Sequence, residues 1–195
     1  MHRYLIVVLL PLWVLACSSQ RVVELDSTGH LPGRTTATVV LSKPFDLDSR
    51  KYLIVVPPND FMKGEVTNMH YFTDVITPEE LQRAIVQSGL ADKIPTMTDL
   101  IGISNAAKYY KPFLWLHGKT RGTGTSRYAQ FILTDATTLD DLLIVETHLD
   151  PIWTGVNDQF NWYPMFNALI DYIKANSKTY GKWSFAPTAE PAVHL

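Results

Sequence analysis

Three strand-like segments follow one another in the second half of the chain, and this run constrains the fold more than any other part of the sequence. Residues 113–121, 127–134 and 142–149 alternate apolar with polar side chains or are rich in β-branched types, which is typical of strands half-buried in an antiparallel sheet. The glycine-rich turn 122–125 and the aspartate-rich turn 135–141 are short enough to join neighbouring strands directly. The sequence therefore predicts a three-stranded antiparallel meander.

Further strands precede the meander. The run 52–56 is apolar throughout and ends at two prolines, which is typical of a strand buried in the middle of a sheet. Residues 35–41 predict an edge strand and 71–76 a short strand, whereas 59–70 are predicted to be a loop. A crossover through helices from 52–56 to the first meander strand would make those two strands parallel.

Three helices are predicted. The first has a Thr77 cap followed by proline and two glutamates, which is a capping box, and it ends at Gly89. The second spans about 98–110, and the third begins near Pro164. We therefore predict one α/β (α+β) domain over 35–180, in which about three helices pack on a mixed, mostly antiparallel sheet of four to five strands. Residues 181–195 are predicted to be a loosely ordered tail.

The amino-terminal residues have the order of a secretory signal. A short basic start is followed by 12 uncharged residues, 5–16, and then by Cys17. This apolar run would span only about 18 Å as a helix, too short for a bilayer core of about 30 Å. Val14 to Cys17 resembles the lipobox of bacterial lipoproteins, which implies cleavage after 1–16 and lipid on Cys17. The alternatives are an ordinary cleaved signal and an uncleaved anchor.

Composition narrows the function. Cys17 is the only cysteine, so the mature chain has no internal disulfide and depends on its core. Net charge is −2 with no clustered basic face, so we expect no nucleic-acid binding. Gly118-Lys119-Thr120 lacks both the earlier glycine and the following helix of a phosphate loop, so we expect no nucleotide. The aspartates at 135–141 do not follow a calcium-loop pattern, and we predict no metal and no cofactor.

Two groups of residues are candidates for function. Glu146, His148 and Asp150 recur at every second position and share one strand face, where a metal or acid–base site would need a partner such as His117. The simpler interpretation is a solvated strand end, and no catalytic residue is predicted.

The second candidate is the aromatic segment 153–163. Trp153, Trp162 and Tyr163 are possible partner contacts, since such side chains combine apolar area with a hydrogen-bonding tip. The alternative, which we favour, is that they cover the sheet as core. Because Tyr163 precedes Pro164, we expect it and Trp162 to point in different directions.

The core pattern resembles known envelope domains. An apolar strand ending at Pro57, a strand ending at Gly118, and a turn with Asp135 and Thr138 are similar to the amino-terminal domain of TolB, the curli-secretion lipoprotein and lipoprotein activators of peptidoglycan synthases. Residues 146–173 resemble an uncharacterised group of proteobacterial lipoproteins.

Together these features predict a non-enzymatic envelope lipoprotein with a tether over 17–34. Ser18, directly after the cysteine, favours the periplasmic face of the outer membrane. The partner would be an envelope protein or cell-wall glycan. The alternative is an envelope enzyme or metal-binding protein that uses Glu146 and His148.

Overall fold

The computed structural model describes residues 21–33, 35–123, 126–149 and 159–180. The strands are β1 (Thr38–Ser42), β2 (Leu53–Val55), β3 (Asp74–Ile76), β4 (Leu114–Arg121), β5 (Arg127–Asp135) and β6 (Asp140–Leu149). The helices are α1 (Asp60–Asn68), α2 (Pro78–Gln87), α3 (Leu100–Tyr109) and α4 (Gln159–Asn176). The predicted α/β class is confirmed, with six strands and four helices in the described residues rather than four to five and about three.

The strands form one mixed sheet in the order β1-β6-β5-β4-β2-β3. The predicted meander is confirmed, because β4 pairs antiparallel with β5 and β5 with β6. The predicted edge strand is β1, antiparallel to β6. The predicted parallel pair is also confirmed: Ile54 of β2 lies opposite Leu114 of β4, and β2 is parallel to β3 as well.

The two faces of the sheet are covered differently. On one face α1 and α4 bury the larger core, which includes Leu116, Phe131 and Phe166. On the other face α2 and α3 pack over Leu53 and Val55. This second core contains no residue of β5, β6 or β1, so among the described residues α2 and α3 do not cover that part of the face.

Helix α1 occupies residues that were predicted to be a loop, so that prediction is wrong. Asn59 caps the helix by accepting a hydrogen bond from the Met62 N–H at 3.1 Å. Phe61, Glu65 and Val66 lie on its buried side. The helical periodicity is hidden in the sequence because a glutamate occupies the centre of the inward face.

Helix α4 begins at Gln159, earlier than the predicted start near Pro164. Proline lacks the N–H that continues a helix, which is why its position suggested a beginning. Tyr163, Phe166 and Leu169 are all buried on the sheet. Their burial offsets the cost of a proline within the helix.

The amino-terminal segment 21–33, which was predicted as part of a tether, packs against the domain. Leu31 is only 2% exposed. Its main-chain N–H donates to Asn167 Oδ1 at 2.7 Å, and Asn167 Nδ2 donates to its carbonyl at 2.9 Å. The predicted signal 1–16, Cys17 and the predicted tail 181–195 lie outside the described residues.

Candidate functional site

The uncovered half of the sheet carries the candidate site, which we call the open sheet face. Paired residues of adjacent strands point to the same side of a sheet, so the register groups its side chains in rows. The open sheet face consists of His117, Lys119, Arg121, Tyr128, Gln130, Ile132, Thr134, Asp141, Ile144, Glu146 and His148. Gln130, Ile132, Thr134 and Glu146 are buried beneath their neighbours on this face. It combines aromatic, cationic and anionic side chains on three rigid strands.

Glu146 is the centre of a charged cluster on this face. Arg121 donates to it through Nε at 2.8 Å and through Nη2 at 2.5 Å, a two-pronged contact. Gln130 Nε2 donates to the same carboxylate at 2.8 Å. The hydrogen bonds from Arg121, followed by that from Gln130, outweigh burial and lower the pKa of the Glu146 carboxyl. An ionised carboxylate held by three hydrogen bonds is a poor proton acceptor at neutral pH.

The cluster continues into two aromatic rings. The Arg121 guanidinium carbon lies 4.3 Å from the centre of the Tyr128 ring, within cation–π range. The Tyr128 ring meets His148 edge to face, with 5.2 Å between the ring centres. Glu146 and His148 therefore do share a strand face, but Arg121 and Tyr128 lie between them in the chain of contacts. Asp150, the third member of the candidate group, lies outside the described residues.

His117 belongs to a different network on the same face. Its Nε2 lies 3.1 Å from Thr134 Oγ1, which donates to Asp141 Oδ1 at 2.8 Å. Because the threonine proton is used on the carboxylate, Thr134 must accept from the His117 Nε2–H. The ring stacks on Trp115 with 4.0 Å between centres. Burial lowers the pKa of His117, and the nearby Lys119 adds to this while Asp141 opposes it.

The candidate acid–base or metal group, which was weighed as an alternative from the sequence, is therefore not assembled in the described residues. His117 pairs with Ile132 across β5, whereas Glu146 pairs with Gln130, so the two lie in separate rows. Within the described ranges no three His, Cys, Asp or Glu side chains converge as metal ligands would. The Glu146 carboxylate is held by Arg121 and Gln130, and the Asp141 carboxylate accepts from Thr134. Neither carboxylate is therefore free to act together with His117.

The aromatic residues at the start of α4 face the core. Tyr163 is fully buried, with its ring 6.1 Å from that of Phe61, so it lies in the core and not on a surface that a partner could contact. Trp162 is half-buried and stacks on Phe131 with 5.5 Å between ring centres. Its indole nitrogen has no hydrogen-bond partner among the described residues. Trp153 lies outside them.

The residues that the sequence did not single out are Arg121, Tyr128 and Gln130. Alternation along 113–121 and 127–134 places them on one face, which was a usable signal. The contacts of Arg121 and Gln130 with Glu146 depend on the register across three strands, including an irregularity between Leu133 and Thr134. That register is not readable from alternation alone.

Comparison with known proteins adds no assignment: no protein family, curated protein or solved structure matches this chain. The resemblance to envelope lipoprotein domains stays a prediction from the sequence.

Proposed function

We propose that this chain is a bacterial envelope lipoprotein whose domain is a non-enzymatic binding module. Residues 1–16 would direct export, lipid on Cys17 would anchor the protein, and the domain would face the periplasm from the outer membrane. The residue order around Cys17 supports this proposal. Among the described residues, no helix has the length and apolar character needed to cross a bilayer.

The observation that carries the binding role is the open sheet face. Solvated faces of antiparallel sheets are common, but on this one Arg121 and Tyr128 of neighbouring strands lie in direct contact. Arginine and tyrosine are among the side chains in which interface energy concentrates. We therefore favour an envelope protein as the partner. A cell-wall glycan is an outcome that the test below distinguishes.

The proposed alternative, an enzyme or metal protein using Glu146 and His148, has no observation in its favour among the described residues. Both oxygens of Glu146 are already bonded to Arg121 and Gln130.

Anchoring is tested by Cys17→Ser. We expect this change to abolish incorporation of a labelled fatty-acid analogue and to remove the protein from the membrane fraction, because serine lacks the sulfur that carries the lipid. Ser19→Ala is the matched control and should label normally. Equal labelling of the Cys17→Ser protein would refute the lipoprotein proposal.

Binding by the open sheet face is tested with a photo-crosslinking residue at Lys119 in living cells. We expect a discrete protein adduct that is lost when Tyr128→Ala is added, because the contacting ring is removed. The same probe at Tyr109, which is 42% exposed on α3, is the control and should give no such adduct. An adduct that muramidase digestion removes would identify a glycan instead. Identical patterns at both positions would contradict the proposed site.

A further inference from the structure

The amino-terminal residues 21–31, here called the strap, cross α1 and α4 and are held by side chains rather than by a neighbouring strand. The Val23 N–H donates to Glu65 Oε1 at 3.1 Å, and Asn68 Nδ2 donates to the Val23 carbonyl at 2.7 Å. These two α1 residues form the first clasp. A Cβ at Gly64 would overlap Val22 Cγ2, so the strap lies in close contact with this helix.

A second clasp holds the other end of the strap on α4. Asn167 pairs with both main-chain groups of Leu31, and His30 Nε2 lies 2.8 Å from Asp171 Oδ1. Lys174 Nζ donates to the Thr28 carbonyl at 3.0 Å. Leu31 is held by the side-chain amide of Asn167, which does not titrate, and Leu31 itself is part of the core.

The first clasp differs because it depends on a buried acid. Glu65 has no exposed surface, and its Oε2 has no hydrogen-bond partner among the described residues. Burial raises the pKa of this carboxyl to about 7, and the hydrogen bond from the Val23 N–H only partly offsets this. No neighbouring charge contributes.

The charged groups on the elements around Glu65 do not compensate it. On the strap, Arg21, Glu24 and Asp26 are exposed, and His30 is paired with Asp171 in the second clasp. On α1, Lys63 is paired with Glu80 at 2.6 Å, and Asp60 lies in the first turn. On α4, Asp171 and Lys174 belong to the second clasp.

We propose that Glu65 is a proton-controlled latch: its protonated form holds residues 21–25 on α1, and its ionised form releases them. An ionised carboxylate with one unpaired oxygen is costly to bury. Detaching residues 21–25 lets water reach the Glu65 carboxylate without opening the sheet, because most of residues 21–28 are already exposed and only Val23 and Leu25 among them are partly buried against the larger core. The second clasp stays closed, so release ends at the turn Asp26–Gly29, where Gly29 has a positive φ of 75°. This inference does not depend on lipid at Cys17.

The test is amide hydrogen exchange on the full-length protein in detergent micelles between pH 5.5 and 8.5, corrected for the intrinsic rate at each pH. In the wild type, protection of the Val23 amide should fall by about tenfold for each pH unit from 5.5 to 7 and then level off, because the released strap leaves Glu65 hydrated with its ordinary pKa of 4.5, whereas the docked strap raises it to about 7. The Leu31 amide should stay protected over the same range and serves as an internal control.

Two variants complete the experiment. Glu65→Gln keeps the accepting oxygen but does not titrate, so Val23 protection should be independent of pH. Glu24→Gln makes the same chemical change on an exposed residue of the strap and should behave as the wild type. Constant Val23 protection in the wild type, or the same pH dependence in Glu65→Gln, would overturn the latch. The wild-type measurement alone decides this if Glu65→Gln does not fold.

Discussion

Tyr163→Ala is expected to lower the free energy of unfolding by about 3 to 5 kcal/mol, the usual cost of truncating a fully buried aromatic side chain. Tyr163 has no exposed surface and packs on Phe61 in the larger core. Urea unfolding followed by circular dichroism measures the change. The result would confirm by experiment that the start of α4 is part of the core.

The matched changes are Trp162→Ala and Tyr109→Ala. Trp162 is half-buried against Phe131, so Trp162→Ala should lower the free energy of unfolding by less than Tyr163→Ala does. Tyr109 lies on the exposed side of α3, so Tyr109→Ala should change it by about 0.5 kcal/mol or less. If Tyr163→Ala were as mild as Tyr109→Ala, the packing described for α4 would be wrong. Loss of the crosslinked partner in Trp162→Ala, with stability kept, would restore that residue as a contact.

Glu65→Gln is expected to remove a pH-dependent loss of stability. The ordinary pKa of glutamate is 4.5, and burial raises that of Glu65 to about 7. The folded state thus binds the proton more tightly than the unfolded state. Its stabilising contribution is complete below pH 4.5 and is lost as the pH rises to 7, by about 3 kcal/mol in total.

The measurement is the difference in urea stability between Glu65→Gln and the wild type at several pH values. This difference should shift in favour of glutamine between pH 4.5 and 7 and then level off, because all other groups titrate alike in both proteins. Glu24→Gln should show no such shift. If the strap is released as inferred, the loss of stability cannot exceed the free energy with which the strap docks on the domain. A difference that is constant with pH would contradict a buried, proton-binding Glu65.

Local signals explain which elements were predictable. The capping box at Thr77 forms as expected, with its side chain accepting from the Glu80 N–H and the Glu80 side chain accepting from the Thr77 N–H. The meander was predictable because alternation extends over three successive segments with short turns. Each of these signals lies within a few residues of the element it predicts.

The elements and contacts that the sequence did not predict depend on packing and on residues far apart in the chain. In α1 the buried acid Glu65 interrupts the apolar pattern, and in α4 packing overrides the local preference of Pro164. The Arg121–Glu146 pair spans 25 residues and depends on register. The docking of Val23 on α1 depends on tertiary contacts that polar, turn-rich residues do not reveal.

The strap also sets how far the domain can travel from a lipid on Cys17, if that lipid is present as proposed. With the strap docked, four residue steps from Cys17 to Arg21 allow at most about 14 Å. Release of residues 21–25 adds five steps, up to Asp26, and extends this reach to roughly 32 Å. Since the volume swept grows with the cube of the reach, loss of one proton would lower the concentration of the open sheet face near the anchor by roughly elevenfold. A lower pH would then favour partners that lie against the membrane, and a higher pH would favour partners that lie farther from it.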